Sequence, residues 1–339
     1  MKALLTDNRG GLWLQDISRP TLTDYDCLVR VEACLFCHST DRHLVAGKVM
    51  GPLHNPSILG HEAIGVIVET GARVRHRSGG DRVLRPQALY PGEVVEDIGS
   101  GWGGFAQFGK VRDWQAMVED GVVKAEEVSL GFRYQERVPE DLPLDKALLL
   151  ITQKEIHSAA ARIEAVSGKR FVVAGAGITG CLFGLFLRWR GAAQVTMVAR
   201  REAPLAFALQ HGCADDTALL ADASGLPAHY DGLVDTTGSL AVMTSLADEV
   251  LSEEGTVYSY AVYEGMGEPD FYGDLQAKHA FTRIDPAEAT AHEAALAMVR
   301  SGRFDPNPFV TGRFGLADWA AAWRSVAEGT SLKTGIFFV

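Results

Sequence analysis

Short segments of alternating apolar and polar residues dominate the first 110 residues of the chain. They are separated by glycine, proline and aspartate, which end strands and form turns. The clearest of these segments are KALLTD, CLVRVEAC, EAIGVIVETG and DRVLRP. Alternation of this length is typical of a half-buried β-strand, so the first part of the chain is predicted to be mostly β.

The pattern changes after residue 145. A helical stretch over 146–166 leads to FVVAGAGITG, and an apolar helix, the segment AQVTMVARRE and a second helix ending near His211 follow. Strand, glycine turn, helix and strand in this order predict a parallel βαβ unit. The segments LVDTTG and TVYSYA are predicted to be later strands of the same sheet. The final residues are predicted to form a helix and a closing strand that returns to the first domain.

A chain of 339 residues exceeds what one small core usually organises. We therefore predict an α/β protein with two domains. The first domain, mostly β, covers residues 1–150 and is completed by about 296–339. The second, a doubly wound parallel sheet, covers residues 151–295.

Composition and charge narrow the possible functions. Hydrophobic residues make up 47% of the chain and charged residues 22%, which is ordinary for a globular enzyme. The net charge of -11 disfavours nucleic acid as a partner. The first residues lack the pattern of a signal peptide, and no segment approaches the roughly 18 apolar residues of a membrane span, so we expect a cytoplasmic protein without a membrane partner. The five cysteines are scattered and odd in number, which does not suit a disulfide framework.

The glycine turn after the apolar strand 171–174 has the spacing of a dinucleotide-binding motif. Such glycines allow a tight turn and let backbone amides approach a pyrophosphate at the start of the following helix. Glycines that serve only a turn are the alternative, but the strand before the motif and the apolar helix after it favour a cofactor. The candidate contacts are Gly175, Gly177, Ile178, Thr179 and Gly180.

The next strand ends in Arg200 and Arg201, where a cofactor with a free ribose 2′-hydroxyl normally requires a carboxylate. Guanidinium groups can bind a 2′-phosphate in a forked geometry. We therefore predict NADP(H) in preference to NAD(H); the alternative is that both arginines are simply solvated at a strand end. Thr237, in LVDTTG, is a further candidate cofactor contact.

Residues 34–47, CLFCHSTDRHLVAG, contain two cysteines, two histidines, two hydroxyl side chains and an aspartate. The residues alone leave three interpretations open: a metal site, a path for protons, or polar side chains that crowd a loop. A second polar motif, GHE at 60–62, precedes the segment AIGVIVETG. A buried structural thiol and a hydrogen-bonded core histidine would explain Cys37 or His61 taken alone.

An ordered set of motifs runs through nearly the whole chain: Cys37, GHE, VETG, GDRV at 80–83, GGFAQF at 103–108, and GAGITG at 175–180. In this order and at these separations they resemble the medium-chain dehydrogenase/reductase superfamily, specifically its zinc-dependent alcohol and polyol dehydrogenases. The resemblance implies a GroES-like catalytic domain followed by a Rossmann domain. It also implies that Cys37 and His61 bind a catalytic zinc ion, with Glu62 as a nearby carboxylate or exchangeable ligand. Thiolate, imidazole and carboxylate are suitable zinc ligands.

The chain departs from the family pattern at the other zinc ligands. Relatives with a second, structural zinc ion carry four closely spaced cysteines after GDRV. Residues 82–150 contain no cysteine, so no structural zinc is expected. The family usually places a further catalytic-zinc ligand near the position of Leu150 or Ile151, and neither side chain can bind zinc.

Glu155 is the nearest substitute ligand, about one helical turn further along. The alternative for Glu155 is a surface carboxylate, and His157 and Gln153 are weaker candidates. Without a substitute, two outcomes remain open: no metal at all, or zinc held by Cys37, His61, Glu62 and water.

The proton path also departs from the family pattern. Relatives commonly have Cys-x-Ser/Thr-Asp-x-His, whereas one extra residue here gives CHSTDRH over 37–43. The relay hydroxyl is Ser39 when counted from the cysteine and Thr40 when counted back from Asp41. The proton would pass through the ribose to a histidine or to solvent, and His43 is included among the catalytic candidates. Asp41 orients its neighbours or holds the turn, and His38 contacts the cofactor phosphate or caps the loop.

Together these features predict an oxidoreductase that uses one catalytic zinc ion and transfers a hydride between NADP(H) and a secondary alcohol or ketone. The missing structural-zinc lobe and polar residues such as His38, Arg42 and His54 favour a polyol, sugar or cyclitol-like substrate. The alternatives are a zinc-free quinone or enoyl reductase of the same superfamily and a non-catalytic NADPH-binding protein. The resemblance also suggests a homodimer or homotetramer.

Overall fold

A computed structural model of the protein describes residues 1–48, 54–266 and 268–338. The chain forms two compact units. Met1–Ile151 and Leu296–Val339 make up the first unit, and Thr152–Ala295 make up the second. Within the described ranges, no helix has the length and apolar character needed to cross a membrane.

The first unit is built mainly from strands. Before residue 151 these are β1 (Lys2–Thr6), β2 (Leu12–Asp16), β3 (Asp26–Leu35), β4 (Ser57–Ile58), β5 (Glu62–Thr70), β6 (Arg82–Leu84), β7 (Gly99–Ser100), β8 (Phe108–Arg112) and β9 (Arg137–Val138). The helices are α1 (Thr40–Val45), α2 (Trp114–Glu119), α3 (Leu130–Arg133), α4 (Leu144–Ala147) and α5 (Leu150–Ala161), the last of which runs into the second unit. The four alternating segments are β1, β3, β5 and β6, so the prediction of strands there is confirmed.

The burial of β1 differs from the half-buried pattern that its sequence predicts. Ala3, Leu4 and Leu5 are all fully buried. Leu4 packs in one hydrophobic cluster, whereas Ala3 and Leu5 pack in another that includes Ile58. Each face of the strand is covered by its own core, so the prediction of one solvent-facing side is wrong for this strand.

The second unit contains a parallel sheet and its helices. The strands are β10 (Arg170–Ala174), β11 (Gln194–Ala199), β12 (Asp216–Leu219), β13 (Tyr230–Asp235), β14 (Leu251–Ser259) and β15 (Ala280–Arg283). The helices are α6 (Ile178–Trp189), α7 (Glu202–Gln210), α8 (Leu240–Val250), α9 (Gly273–Lys278) and α10 (His292–Arg300), which runs into the first unit. The strand order is β12-β11-β10-β13-β14-β15 with every neighbouring pair parallel, which is the order of a Rossmann fold.

The predicted βαβ unit is therefore confirmed as β10, α6 and β11. Four of the five residues of β10 are buried, as expected for a central strand of a parallel sheet that is covered on both faces. The helix predicted over 146–166 is shorter than expected. It is α5, and the separate short helix α4 precedes it.

The end of the chain adds β16 (Gly312–Gly315), α11 (Trp319–Glu328) and β17 (Thr334–Phe337). The first unit then has a four-stranded sheet, β2-β1-β4-β7, and a seven-stranded sheet, β16-β17-β3-β5-β6-β9 with β8 beside β3. β17 is antiparallel to β3, with Ile336 opposite Cys34. The last strand thus lies beside the strand that leads into Cys37.

Candidate active site

Cys37 lies between β3 and α1, and a buried carboxylate fixes its backbone. Asp41, in the first turn of α1, is fully buried, and its Oδ2 accepts a hydrogen bond from the Cys37 backbone N–H at 2.8 Å. Three residues earlier, Cys34 packs in the hydrophobic core. Burial raises the pKa of Cys34 well above its usual value, so this thiol stays neutral and does not compete for a metal.

His61, directly before β5, and Glu62, the first residue of β5, reach the same place. Gly60 makes this approach possible, because its φ is +102° and a Cβ there would lie 2.6 Å from Phe105 Cδ2. Cys37, His61 and Glu62 each bring one potential ligand atom within 4.8 Å of the other two. We call these three residues the Cys–His–Glu cluster. Its donors are of the types that zinc prefers in proteins.

The charges around His61 favour a cation in this cluster. His61 Nδ1 lies 3.6 Å from Asp41 Oδ1, and its Nε2 lies 4.0 Å from Glu62 Oε1. Burial by itself lowers the pKa of His61, but the neighbouring Asp41 and Cys37 outweigh burial and raise that pKa well above its usual value. The negative charge that stabilises a proton here also stabilises a metal ion.

Lys333 is a site residue that our reading of the sequence missed. It directly precedes β17, and its Nζ lies 2.5 Å from Glu62 Oε1, with both side chains 1% exposed. The lysine therefore balances part of the charge of the Glu62 carboxylate. The one signal in the sequence is a lysine next to an apolar closing strand.

Two further residues that sequence reasoning missed contact His61. Arg85 is 8% exposed, and its Nη1 donates a hydrogen bond to the His61 backbone carbonyl at 2.7 Å. The ring of Trp102 lies beside the His61 ring, with 5.2 Å between their centroids. Arg85 and Trp102 both have positive φ, +54° and +69°, which the sequence alone does not indicate for these residue types.

The hydroxyl candidates lie at the start of α1. Thr40 is half-buried, and its Oγ1 is 3.5 Å from Cys37 Sγ. Ser39 is exposed, and its side chain makes no capping hydrogen bond to the helix. His43 is half-buried on the same helix. The geometry therefore favours Thr40 over Ser39 as the hydroxyl next to Cys37.

The polar residues expected around the substrate have different surroundings. Burial, followed by the positive charges of Lys333 and Arg42, lowers the pKa of His38 to about 4, so this histidine is neutral at pH 7. His54 is exposed, and its Nε2 lies 3.1 Å from Asp97 Oδ1. His38 therefore lies within reach of the charges of Lys333 and Glu62, whereas His54 contacts Asp97.

In the second unit, the glycines that follow β10 have different structural roles. Gly175 has φ +104°, and a Cβ there would lie 2.5 Å from Thr236 Oγ1. A Cβ at Gly180 would lie 1.8 Å from the Gly175 carbonyl oxygen. Gly177, directly before α6, has open space where a Cβ would stand. Gly175 and Gly180 thus serve the turn and the packing, and Gly177 leaves room for an anion at the helix N-terminus.

The other cofactor candidates lie at the same edge of the sheet. Arg200 and Arg201 are exposed directly after β11. Thr237 is exposed after β13, and its Oγ1 donates a hydrogen bond to Asp235 Oδ1 at 2.7 Å. Parallel strands end at one edge, so these residues share the edge where Rossmann folds bind dinucleotides. Helix α6 begins there with Ile178 and Thr179.

Glu155 lies on α5 and is half-buried. It belongs to the second unit, whereas the Cys–His–Glu cluster belongs to the first, and its role as a zinc ligand stays a prediction. The two weaker candidates pack inside the second unit. Gln153 Nε2 donates a hydrogen bond to the Ala295 carbonyl at 3.3 Å, and the His157 ring lies 5.3 Å from the Phe186 ring.

Known proteins similar to the chain are dehydrogenases. Residues 23–123 match the alcohol dehydrogenase GroES-like domain family. The chain is 27% identical over 351 residues to L-threonine 3-dehydrogenase of Streptomyces avermitilis, covering 98% of each protein. It is 30% identical over 223 residues to the NADP-dependent isopropanol dehydrogenase of Clostridium beijerinckii, covering 63% of this chain and 60% of that protein. Among solved structures, alcohol dehydrogenase TADH from Thermus sp. ATN1 matches with a TM-score of 0.78 at 19% identity over 99% of both chains.

These similarities agree with the structure at two levels. The likeness to the solved structure establishes the fold, a GroES-like domain with a Rossmann domain. The full-length sequence similarity adds the type of activity, which the ordered motifs also indicate. The matched domain, the full-length similarity and the ordered motifs therefore support a place in the medium-chain dehydrogenase/reductase superfamily, and the chain is an alcohol dehydrogenase or reductase.

Proposed function

We propose that the chain uses one zinc ion and NADP(H) to interconvert a secondary alcohol and a ketone of the polyol, sugar or cyclitol type. The observation that carries the proposal is the convergence of three different zinc-binding side chains within 4.8 Å in the Cys–His–Glu cluster. The similar threonine and isopropanol dehydrogenases are named for substrates that carry a secondary alcohol, which supports a secondary alcohol as the substrate. A cytoplasmic homodimer or homotetramer stays a prediction.

The residues present fit a catalytic zinc ion. A thiolate, an imidazole and a carboxylate leave one position for Glu155, water or substrate, and an open position is what a catalytic site requires. Asp41 Oδ1 and His61 Nδ1 are buried and, in the part of the chain that is described, have no hydrogen-bond partner. A metal-binding histidine usually donates its second ring N–H to such a carboxylate, so this pair suits a metal site. When bound, zinc polarises the substrate oxygen and lowers the pKa of an alcohol.

The chain's own residues would orient the site and move the proton. Thr40 is proposed to exchange the proton of the substrate alcohol, because its hydroxyl lies beside the zinc-binding sulfur of Cys37. His43, on the same helix, is proposed to receive that proton. Asp41 holds the backbone of Cys37 and faces the ring of His61, so one carboxylate positions two ligands. The bound nicotinamide supplies or accepts the hydride.

The preference for NADP(H) rests on Arg200 and Arg201, and replacing both by alanine tests it. We expect the dissociation constant for NADPH to rise about 10- to 100-fold, since hydrogen bonds to a charged 2′-phosphate are lost. The dissociation constant for NADH should change less than about twofold, because NADH lacks that phosphate. Fluorescence titration of both cofactors measures the two effects.

Arg170→Ala is the matched control for the cofactor test. Arg170 is an exposed arginine at the start of β10, the end of the strand away from the glycine turn. This variant should bind both cofactors like the wild type. Tighter binding of NADH than of NADPH by the wild type would contradict the proposed preference.

The role of Glu155 is tested by the zinc content of Glu155→Ala. If the carboxylate completes the site, the variant should lose most of its zinc on dialysis against a buffer in which the wild type keeps about one ion per chain. Elemental analysis by mass spectrometry gives the stoichiometry. Glu164→Ala is the control, because Glu164 is an exposed carboxylate just after α5. Zinc retained in full by Glu155→Ala would leave the fourth position to water.

The same preparations distinguish the alternative functions. A wild type that binds NADPH, holds no zinc and reduces quinones or enoyl compounds is a zinc-free reductase. A wild type that binds NADPH tightly but shows no alcohol-dependent change in absorbance at 340 nm is a non-catalytic NADPH-binding protein. Zinc together with NADP-dependent oxidation of a secondary alcohol supports the proposed function.

A further inference from the structure

Trp102 lies beside the Cys–His–Glu cluster and has no part in the roles described so far. Its ring plane is inclined by 56° to that of His61, at 5.2 Å between centroids. The side chain is half-buried and packs against the hydrophobic cluster that contains Leu59 and Phe105. The exposed part of the indole therefore belongs to the surface next to a proposed zinc ligand.

The backbone of Trp102 is strained. Its φ of +69° lies in the left-handed region, which a bulky side chain rarely adopts. Strain of this kind persists only where the surrounding structure fixes it, and it concentrates at active sites and ligand clamps. Of the non-glycine residues with positive φ in the described ranges, Trp102 is the one with an aromatic side chain. A packing role alone does not require this conformation.

The glycines around this tryptophan fix its position. The N–H groups of Gly101 and Gly103 both donate hydrogen bonds to the Ile58 carbonyl, at 2.8 and 3.0 Å. The N–H of Gly104 donates to the Gly60 carbonyl at 2.7 Å, and a Cβ at Gly104 would lie 2.7 Å from that same oxygen. Residues 58–60, whose carbonyls accept these hydrogen bonds, lead directly into His61, the proposed zinc ligand. The same hydrogen bonds therefore fix the positions of the indole and the histidine ring relative to each other.

We propose that Trp102 determines specificity, and that its indole packs against the C–H face of a secondary alcohol carried on a ring, such as a cyclitol or a sugar in its ring form. This proposal rests on the proposed function, in which His61 binds zinc. An indole offers a large, rigid apolar face, and a ring substrate offers a matching flat face of C–H groups. An open-chain polyol must fix several bond rotations on binding, and each weakens its affinity.

The test compares wild type with Trp102→Ala, Trp102→Phe and Trp102→Gly, each as the full chain with zinc. Two matched pairs of probes are used: myo-inositol with sorbitol, and cyclohexanol with 2-hexanol. Calorimetry on the NADPH complex, which does not react with alcohols, gives dissociation constants, and kcat/KM is measured with NADP⁺. Zinc content and Tm are recorded for every variant.

Trp323→Ala is the control for the loss of a tryptophan. Trp323 is half-buried and packs against the same hydrophobic cluster as Trp102. Its ring partner is Phe36, at 5.8 Å between centroids, rather than a proposed metal ligand. Its replacement should lower Tm and leave the choice between ring and open-chain probes unchanged.

We expect wild type to bind the ring member of each pair about tenfold more tightly than the open-chain member. Trp102→Ala should weaken ring binding about tenfold and open-chain binding less than about twofold, and Trp102→Phe should keep most of the preference. Trp102→Gly should lose the preference and lower Tm by less than Trp102→Ala does, because glycine adopts positive φ without strain.

Three outcomes would overturn the proposal: equal weakening of ring and open-chain probes by Trp102→Ala, a wild type that favours the open-chain probes, or loss of zinc in Trp102→Ala. The last result would make Trp102 a structural support of the metal site. Failure of the proposed function is recognised separately, because there the wild type itself holds no zinc.

Discussion

Replacing Cys37 by alanine is expected to remove bound zinc and to lower kcat/KM by about three orders of magnitude or more. Cys37 supplies the one thiolate of the Cys–His–Glu cluster, and sulfur is the donor that zinc holds most firmly in mixed sites. Asp41 cannot compensate, because it is tied to the backbone N–H of residue 37 and faces the histidine ring. Without the ion, the substrate oxygen loses its electrophilic partner.

Zinc content and steady-state kinetics on the same preparation measure this effect. Cys34→Ala is the matched control, because Cys34 lies three residues earlier on the same stretch of chain and packs wholly in the hydrophobic core. It should keep its zinc and most of its activity. A Cys37→Ala protein with a full complement of zinc would disprove the site proposed for the metal.

Replacing Lys333 by methionine is expected to lower the free energy of unfolding by about 3–5 kcal/mol. The variant removes the ammonium group that lies 2.5 Å from the buried Glu62 carboxylate and leaves the His61 ring, at 4.0 Å, as the more distant partner; the Lys333 and Glu62 side chains are each 1% exposed. Restoring water to such a charge requires disruption of the surrounding packing. Urea unfolding of the metal-free protein, followed by circular dichroism, measures the loss without a contribution from bound zinc.

Two comparisons make the Lys333 result specific. Lys2→Met breaks an ion pair of similar length, 2.9 Å to Asp16, but the side chains there are 48% and 73% exposed, so a much smaller loss is expected. The double variant Lys333→Met/Glu62→Leu removes both buried charges and should recover much of the stability. Equal losses for Lys333→Met and Lys2→Met would show that the buried pair does not stabilise the fold.

Features that depend on residues close together in the chain could be predicted from the sequence. The turn from Gly175 to Gly180 is defined by residues that directly follow one another, and close contacts within the turn and with Thr236 require Gly175 and Gly180. The βαβ unit follows from the same local pattern. The burial of both faces of β1 could not be predicted, because the two hydrophobic clusters that cover them are assembled from distant parts of the chain.

The parts of the site that sequence reasoning missed depend on distant partners or on backbone angles. Lys333 and Glu62 are 271 positions apart, and no periodic pattern links them. Trp102 lies beside His61 with its backbone in a conformation that its residue type disfavours. Counting positions along the sequence did not decide between Ser39 and Thr40 as the relay hydroxyl. In the structure α1 begins at Thr40, and the Thr40 hydroxyl lies 3.5 Å from Cys37 Sγ, which favours Thr40.

The interrupted first unit has a consequence for how the protein is made. On the ribosome, residues 152–295 emerge as one continuous stretch and can complete their sheet while synthesis continues. The first unit cannot, because β17 and Lys333 follow residues 152–295 in the chain and leave the ribosome after them. Until then the nascent chain carries Glu62 without its cation and β3 without one of its neighbours. The sheets that residues 1–151 begin are therefore completed only after the second unit has emerged, although those residues are translated before it.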